Sequence, residues 1–288
     1  MGNETAELAG EVPDEVVELG RRARLIETPC GDGIMAWRIW GEGEPLVLAH
    51  GANGAWVHWL RNIDALAQDR MVILPDLPGH GDSATPETLD HAGISQALAT
   101  GLKEILGDKL PVDLAGFSFG GVCLAYLARN YPEVARRLVL VDCGGLNTPF
   151  GDIDLGSIRG LEGEARMARL RANLLGMMLH HPDNVDDFTI WQLITHGRRR
   201  DVDSGGLVVP DKLVTILPEL KLPVASIWAE FDRPHPNPPV QKAALLSGLS
   251  QLEFRVIESA GHWVMYEQPD AFNAALKGLL DAKSWGAA

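Results

Sequence analysis

Short apolar runs recur along the first half of the chain, each broken by a small cluster of glycine, proline, histidine or aspartate. Residues 24–28 and 34–40 alternate apolar and polar positions on either side of Gly31-Asp32-Gly33, which predicts a hairpin. Residues 45–49 form a continuous apolar run that ends in His50-Gly51-Ala52-Asn53-Gly54, and 71–74 form another that leads into Pro75-Asp76-Leu77-Pro78-Gly79-His80-Gly81-Asp82-Ser83. Runs this short, without polar alternation, fit strands buried on both faces. The spacing becomes helical from 56 to about 67 and again over about 90–107. Residues 112–115 predict the next strand, 122–128 a buried helix, and 138–141 a further strand that ends in Asp142-Cys143-Gly144-Gly145. From 146 to about 218 the strand pattern stops, and Met167, Leu170, Leu174, Leu175, Met177, Met178 and Leu179 predict helix ahead of a charged run. Strands return at 224–228 and 252–257, and a helix is predicted over about 269–283.

This alternation predicts an α/β protein with a mostly parallel sheet and helices on both faces. Residues 146–218 read as a helical lid inserted between two parts of the core, 23–145 and 219–288, with 1–22 an acidic N-terminal extension. Ligands of such sheets sit beyond the carboxyl ends of the strands. The residues that follow each strand are therefore the place to look for chemistry.

The stretch Gly116-Phe117-Ser118-Phe119-Gly120-Gly121 lies between a predicted strand and a predicted helix. A serine at so sharp a corner takes strained backbone angles, and glycines two residues to either side remove clashes and lift its hydroxyl into the open. A serine is a weak nucleophile without a base. His262 follows the last strand in Glu258-Ser259-Ala260-Gly261-His262-Trp263, where the glycine lets the loop turn the ring back over the sheet. A base histidine needs an acceptor to fix its tautomer. Asp232 follows the strand at 224–228 and is placed for that, with Glu230 and Asp142 as alternatives. His91, His180, His181 and His196 fall on helical or lid segments and read as solvated surface.

The chain order Ser118, Asp232, His262, together with His50-Gly51, the loop 76–83, G-F-S-F-G-G and Gly261-His262, resembles the α/β-hydrolase superfamily from about residue 24 to 283. The resemblance implies the α/β-hydrolase fold and an oxyanion hole built from the backbone N–H groups of Phe119 and Ala52, with His50 bracing its loop and 76–83 serving as scaffold. Haloalkane dehalogenases and epoxide hydrolases of this superfamily carry Asp at the elbow, so Ser118 points instead to acyl-type chemistry. Trp263, Asp232-Arg233 and Arg198-Arg199-Arg200 are similar to features of the meta-cleavage-product hydrolases, which split carbon–carbon bonds in ring-opened aromatic catabolites. There Arg198 or Arg199 would hold a substrate carboxylate bidentately. That family often has Asn before the nucleophile, where this chain has Phe117, and a loop richer in glycine and proline than Ala52-Asn53-Gly54-Ala55. Phe117, Phe119, Trp56, Trp191 and Trp263, with Asn53 at the loop, outline an apolar pocket. The expectation is a serine hydrolase acting on a small, largely apolar carboxylic ester or lactone. A carbon–carbon hydrolase is the alternative, and a ligand-binding receptor on the same fold is the non-enzyme reading, against which the complete triad argues.

Composition narrows the partners. With 288 residues, 46% hydrophobic and 22% charged, the chain suits one large domain with an insertion. A net charge of −14 argues against nucleic acid and anionic membrane surfaces and leaves a small-molecule substrate. Self-association is left open. Cys30, Cys123 and Cys143 are an odd set without paired spacing, so neither a disulfide framework nor a zinc site is expected, and no cofactor is called for. No apolar stretch approaches the roughly 18 residues of a membrane span. The acidic start lacks the basic and apolar regions of a signal peptide, which points to the cytoplasm.

Overall fold

The apolar runs assemble into one eight-stranded sheet, seen in a computed structural model that describes residues 11–197 and 202–282. The strands are β1 (Arg24–Cys30), β2 (Gly33–Trp40), β3 (Glu44–Ala49), β4 (Arg70–Pro75), β5 (Val112–Phe117), β6 (Ala135–Val141), β7 (Val224–Ala229) and β8 (Glu253–Ile257). Their order across the sheet is β1-β2-β4-β3-β5-β6-β7-β8. The β1–β2 hairpin and the β2–β4 pair are antiparallel, and every pair from β4 to β8 is parallel. The helices are α1 (Asp14–Arg22), α2 (Ile63–Leu66), α3 (His91–Leu106), α4 (Phe119–Asn130), α5 (Gly163–Met177), α6 (Asp187–His196), α7 (Pro238–Leu246), α8 (Val264–Glu267) and α9 (Pro269–Asp281).

The continuous apolar runs exist because the central strands are covered on both sides. In β3, Leu46 and Leu48 enter one core cluster while Val47 and Ala49 enter the other. In β6, Val139 and Val141 face the first cluster and Leu138 and Leu140 the second. Fully burying each such Val or Leu contributes about 1.5–3 kcal/mol. At the entry to β5 the carboxylate of Asp113 accepts from Arg70 Nη1 at 3.1 Å and from Arg136 Nε at 2.8 Å and Nη2 at 2.9 Å. This ties three strands together at the edge opposite the site.

Three segments differ from the pattern reading. Residues 14–22, within the acidic extension, form α1, whose Val16 and Leu19 are buried in the first core cluster. The indole of Trp40 donates to the Leu19 carbonyl at 3.0 Å. The helix predicted from 56 to about 67 is broken into a 3-10 turn (Trp56–Trp59) and α2. The Asn62 amide between them donates to the Met265 carbonyl and the Asn273 side chain, both at 3.0 Å, so distant bonds replace helix continuity. The segment 146–218 is helical only in part. It holds α5 and α6, but Gly205, Gly206 and Pro210 leave 204–216 as successive turns. Among the described residues, no helix is long and apolar enough to cross a membrane.

Candidate active site

Parallel strands share a carboxyl edge, and the loops after β3, β5, β7 and β8 meet there. Ser118 follows β5 with φ of +49°, a conformation that costs a non-glycine residue about 1–3 kcal/mol. The corner is held by Ser118 N–H donating to the Val141 carbonyl at 2.8 Å and Gly121 N–H donating to the Ser118 carbonyl at 3.1 Å. A Cβ on Gly116 would lie 2.5 Å from the Gly121 backbone, and one on Gly120 would lie 2.4 Å from the His50 carbonyl oxygen. Close backbone approach therefore requires glycine on both sides of the serine.

The Ser118 hydroxyl lies 3.2 Å from His262 Nε2, and His262 Nδ1 lies 3.1 Å from Asp232 Oδ1. Asp232 can only accept when ionised, so it places the proton on Nδ1 and leaves Nε2 to accept from the serine. Asp232 Oδ1 also accepts from His235 N–H at 3.1 Å. Burial works to raise the Asp232 carboxyl, but its contacts with His262 and His235 outweigh burial and hold it below the usual range. The alternative acids point elsewhere. The Glu230 side chain accepts from Ser259 N–H at 2.9 Å, and Asp142 accepts from Ala229 N–H at 2.8 Å.

The loop 50–54 runs against this pair. A Cβ on Gly51 would lie 3.4 Å from Ser118 Cβ and 2.8 Å from the Phe117 ring. Ala52 follows at the half-buried rim, and Phe119 opens α4, where the first N–H groups have no partner within the helix. His50 braces this loop as expected. Its Nε2 accepts from Leu77 N–H at 2.9 Å and its Nδ1–H donates to the Gly51 carbonyl at 2.8 Å. The loop 76–83 is scaffold. Asp76 is buried and accepts from Trp56 N–H at 2.8 Å, Asp82 N–H at 3.0 Å and Arg38 Nη1 at 3.0 Å.

The expected pocket residues divide. The Phe117 ring lies 4.9 Å from that of His262. Trp191 is buried on α6 between Phe188 and His196. Asn53 is exposed at φ of +54°, and its carbonyl accepts from Gln192 of α6 at 3.2 Å. Trp263 is fully buried, and its indole donates to the His58 carbonyl at 2.9 Å, so it braces rather than lines. Trp56 departs from the expectation: its ring packs at a tilt against Trp40, centroids 5.4 Å apart, and lies against Gly20 of α1, because the β2 face offers it an aromatic partner. Arg198 and Arg199 lie outside the described residues. His91, His180 and His181 are not merely solvated. They stack on Tyr126 at 3.6 Å, stack on Phe231 at 4.1 Å, and contact the Ser259 carbonyl at 2.8 Å, respectively.

Other supports were not legible in the chain. Glu267 accepts from Gly261 N–H at 2.6 Å, His180 N–H at 2.8 Å and His181 N–H at 2.9 Å, which clamps the His262 loop to the start of the segment after α5. His58, packed between Phe117 and Trp263, and His235, with its ring 6.0 Å from that of His262, are buried beside the site. Nothing in the local sequence marks either, since their partners lie far along the chain.

Burial holds the imidazoles of His50 and His58 well below their ordinary value and brings His235 down to about 4. All three are neutral in the fold at pH 7, whereas an unfolded chain protonates them below about pH 6.5. The unfolded state then binds more protons, so stability falls on acidification by about 1.4 kcal/mol per pH unit for each proton. Asp142, raised by burial and by Asp232, and Asp76, raised by burial, work the other way. Stability is expected to fall on net as the pH drops from about 6 to 5. Urea titrations across that range measure it, and a flat unfolding free energy would refute it.

A family model described as "Alpha/beta hydrolase family" matches residues 46–275. A Pseudomonas sp protein named 2-hydroxy-6-oxononadienedioate/2-hydroxy-6-oxononatrienedioate hydrolase is 27% identical over 252 residues, 82% of this chain and 88% of that one. Among solved structures, a meta-cleavage product hydrolase from Pseudomonas fluorescens IP01 superposes with a TM-score of 0.70 at 22% identity, covering 86% of this chain and 94% of the other. A thermophilic esterase from Thermogutta terrifontis superposes with a TM-score of 0.69 at 22% identity, covering 90% and 98%.

Proposed function

The chain belongs to the alpha/beta hydrolase family and is a hydrolase, and on that premise we propose that it cleaves a carbon–carbon bond in a ring-opened, carboxylate-bearing dienoate. The observation that carries this is the relative named for 2-hydroxy-6-oxo dienedioates, which aligns across 82% of the chain. The order of preference from the sequence is thereby reversed. An ester came first there because aromatic residues suggested an apolar acyl pocket, but Trp56 and Trp263 are occupied in packing.

In this reading Ser118 Oγ attacks the 6-oxo carbon while its proton passes to His262 Nε2. Asp232 stabilises the imidazolium, and the N–H groups of Phe119 and Ala52 meet the developing oxyanion. Collapse breaks the carbon–carbon bond. Its electron pair enters the conjugated 2-oxo tautomer of the substrate, and the imidazolium returns its proton to the departing dienolate. Water deprotonated by His262 then hydrolyses the acyl-enzyme. Residues 146–218 act as the lid over this edge.

Two assays test the reading. A 2-hydroxy-6-oxo dienedioate is expected to turn over with kcat/KM at least about tenfold above that of any p-nitrophenyl ester in a series of increasing chain length. Esters faster by the same factor would restore the ester hydrolase. Replacing Arg198 and Arg199 with Gln is expected to lower kcat/KM for the dienedioate by about 10- to 100-fold, the worth of a charge-assisted contact of about 1.5–3 kcal/mol. Hydrolysis of a neutral short-chain ester should change less than about threefold. Equal losses on both substrates would remove these arginines from carboxylate recognition.

A further inference from the structure

Asp142 follows β6 at φ of +45° and is wholly buried. Its Oδ1 accepts from Ala229 N–H, at the end of the strand that leads to Asp232. Its Oδ2 is buried with no donor, and so is Oδ2 of Asp232. The two carboxyl groups are neighbours in the core, close enough for Asp232 to act directly on Asp142. Two ionised carboxylates cannot satisfy one another, because both only accept, and burying two adjacent like charges is costly. A single proton between them satisfies both orphaned oxygens at once.

We propose that Asp142 is a positioning residue that keeps its proton and donates a hydrogen bond to Oδ2 of Asp232, fixing Oδ1 on His262 and leaving one negative charge in the unit. This rests on the triad reading of Ser118, His262 and Asp232. The proton belongs on Asp142 because Asp232 already accepts from both His262 and His235, whereas Asp142 accepts only from Ala229. The directions agree: burial and the neighbouring Asp232 push Asp142 well above the usual carboxylate range, while Asp232 lies below it. Without that hydrogen bond Asp232 would carry its full charge with Oδ2 unsatisfied and hold the imidazolium more tightly.

The ionisable groups that face His262 are Asp232, His58 and His235, and those that face Asp142 are Asp232 and Cys143. Burial pushes the Cys143 thiol up, so it stays neutral through the range tested. Asp142→Gly removes the donor and relieves the positive φ. It is expected to move the acid limb of the kcat/KM profile to higher pH by about half a unit or more and to lower kcat by about tenfold. Asp142→Asn, whose amide can donate to Asp232 while its oxygen accepts from Ala229 N–H, is expected to rescue both. An acid limb unmoved in Asp142→Gly, or an Asn variant as damaged as the Gly variant, would overturn the proposal. Should the glycine variant not fold, infrared difference spectra of the full-length protein at pH 7.5 decide. The carbonyl band of an un-ionised carboxyl should be present in the wild type and lost in Asp142→Asn, and its absence from the wild type refutes the proposal. Organophosphonate labelling of the wild type and Ser118→Ala tests the triad reading separately, because labelling at Ser118 does not depend on where the Asp142 proton sits.

Discussion

Ser118→Ala is expected to abolish covalent labelling by an organophosphonate and to lower turnover by roughly 10³-fold or more, a loss of about 4 kcal/mol of transition-state stabilisation. The remaining activity would come from substrate binding and the oxyanion donors. The variant keeps the backbone bond from residue 118 to the Val141 carbonyl and the glycine contacts of the corner, so its thermal midpoint should stay close to that of the parent. An unchanged midpoint with the lost turnover isolates the hydroxyl. Near-parental turnover on the dienedioate would remove Ser118 from the mechanism whatever the substrate.

Asp232→Asn is expected to cost about 10³- to 10⁴-fold in kcat, and the structure supplies both limits. If the amide oxygen stays toward His262 and His235, the Nδ1–H tautomer survives and only the charge is lost. A unit charge about 4 Å from the imidazolium is worth about 4 kcal/mol at an effective dielectric near 20, or about 10³-fold. If the amide turns its NH₂ toward His262, the wrong tautomer is locked in and the loss approaches about 10⁴-fold. The first orientation keeps an oxygen to accept from His235 N–H, which an NH₂ in that place could not do. A larger loss from Asp142→Asn than from Asp232→Asn would mean that the acid stands after β6 rather than after β7.

The order of strands and helices was readable from the chain because buried parallel strands need short unbroken apolar runs, and both core clusters draw on the same runs in alternate residues. Ser118, Asp232 and His262 were readable because each follows a strand, and parallel strands bring their ends to one edge. Backbone geometry leaves a local trace there: glycines where the corner is tight, and a glycine beside the histidine. What the aromatic residues do was not readable. An indole looks the same in the chain whether it lines a pocket or packs on Trp40, and the difference lies in a partner many positions away. The same holds for Asn62, which ends the helix expected from residue 56 by bonding to Met265 and Asn273. It holds as well for Glu267, whose three backbone N–H partners include two residues 86 and 87 positions earlier. The chain ranked Asp232 ahead of Asp142 and Glu230, but all three lie at strand ends, and the side chain that meets His262 is seen only in the structure. By itself the sequence determined the sheet, its carboxyl edge and the types of residue gathered there, because those depend on local spacing and the burial of each run. Only the tertiary structure decided which carboxylate meets His262, which imidazoles are held neutral and which rings brace rather than line, because each depends on the distance and solvent exposure of groups brought together from opposite ends of the chain.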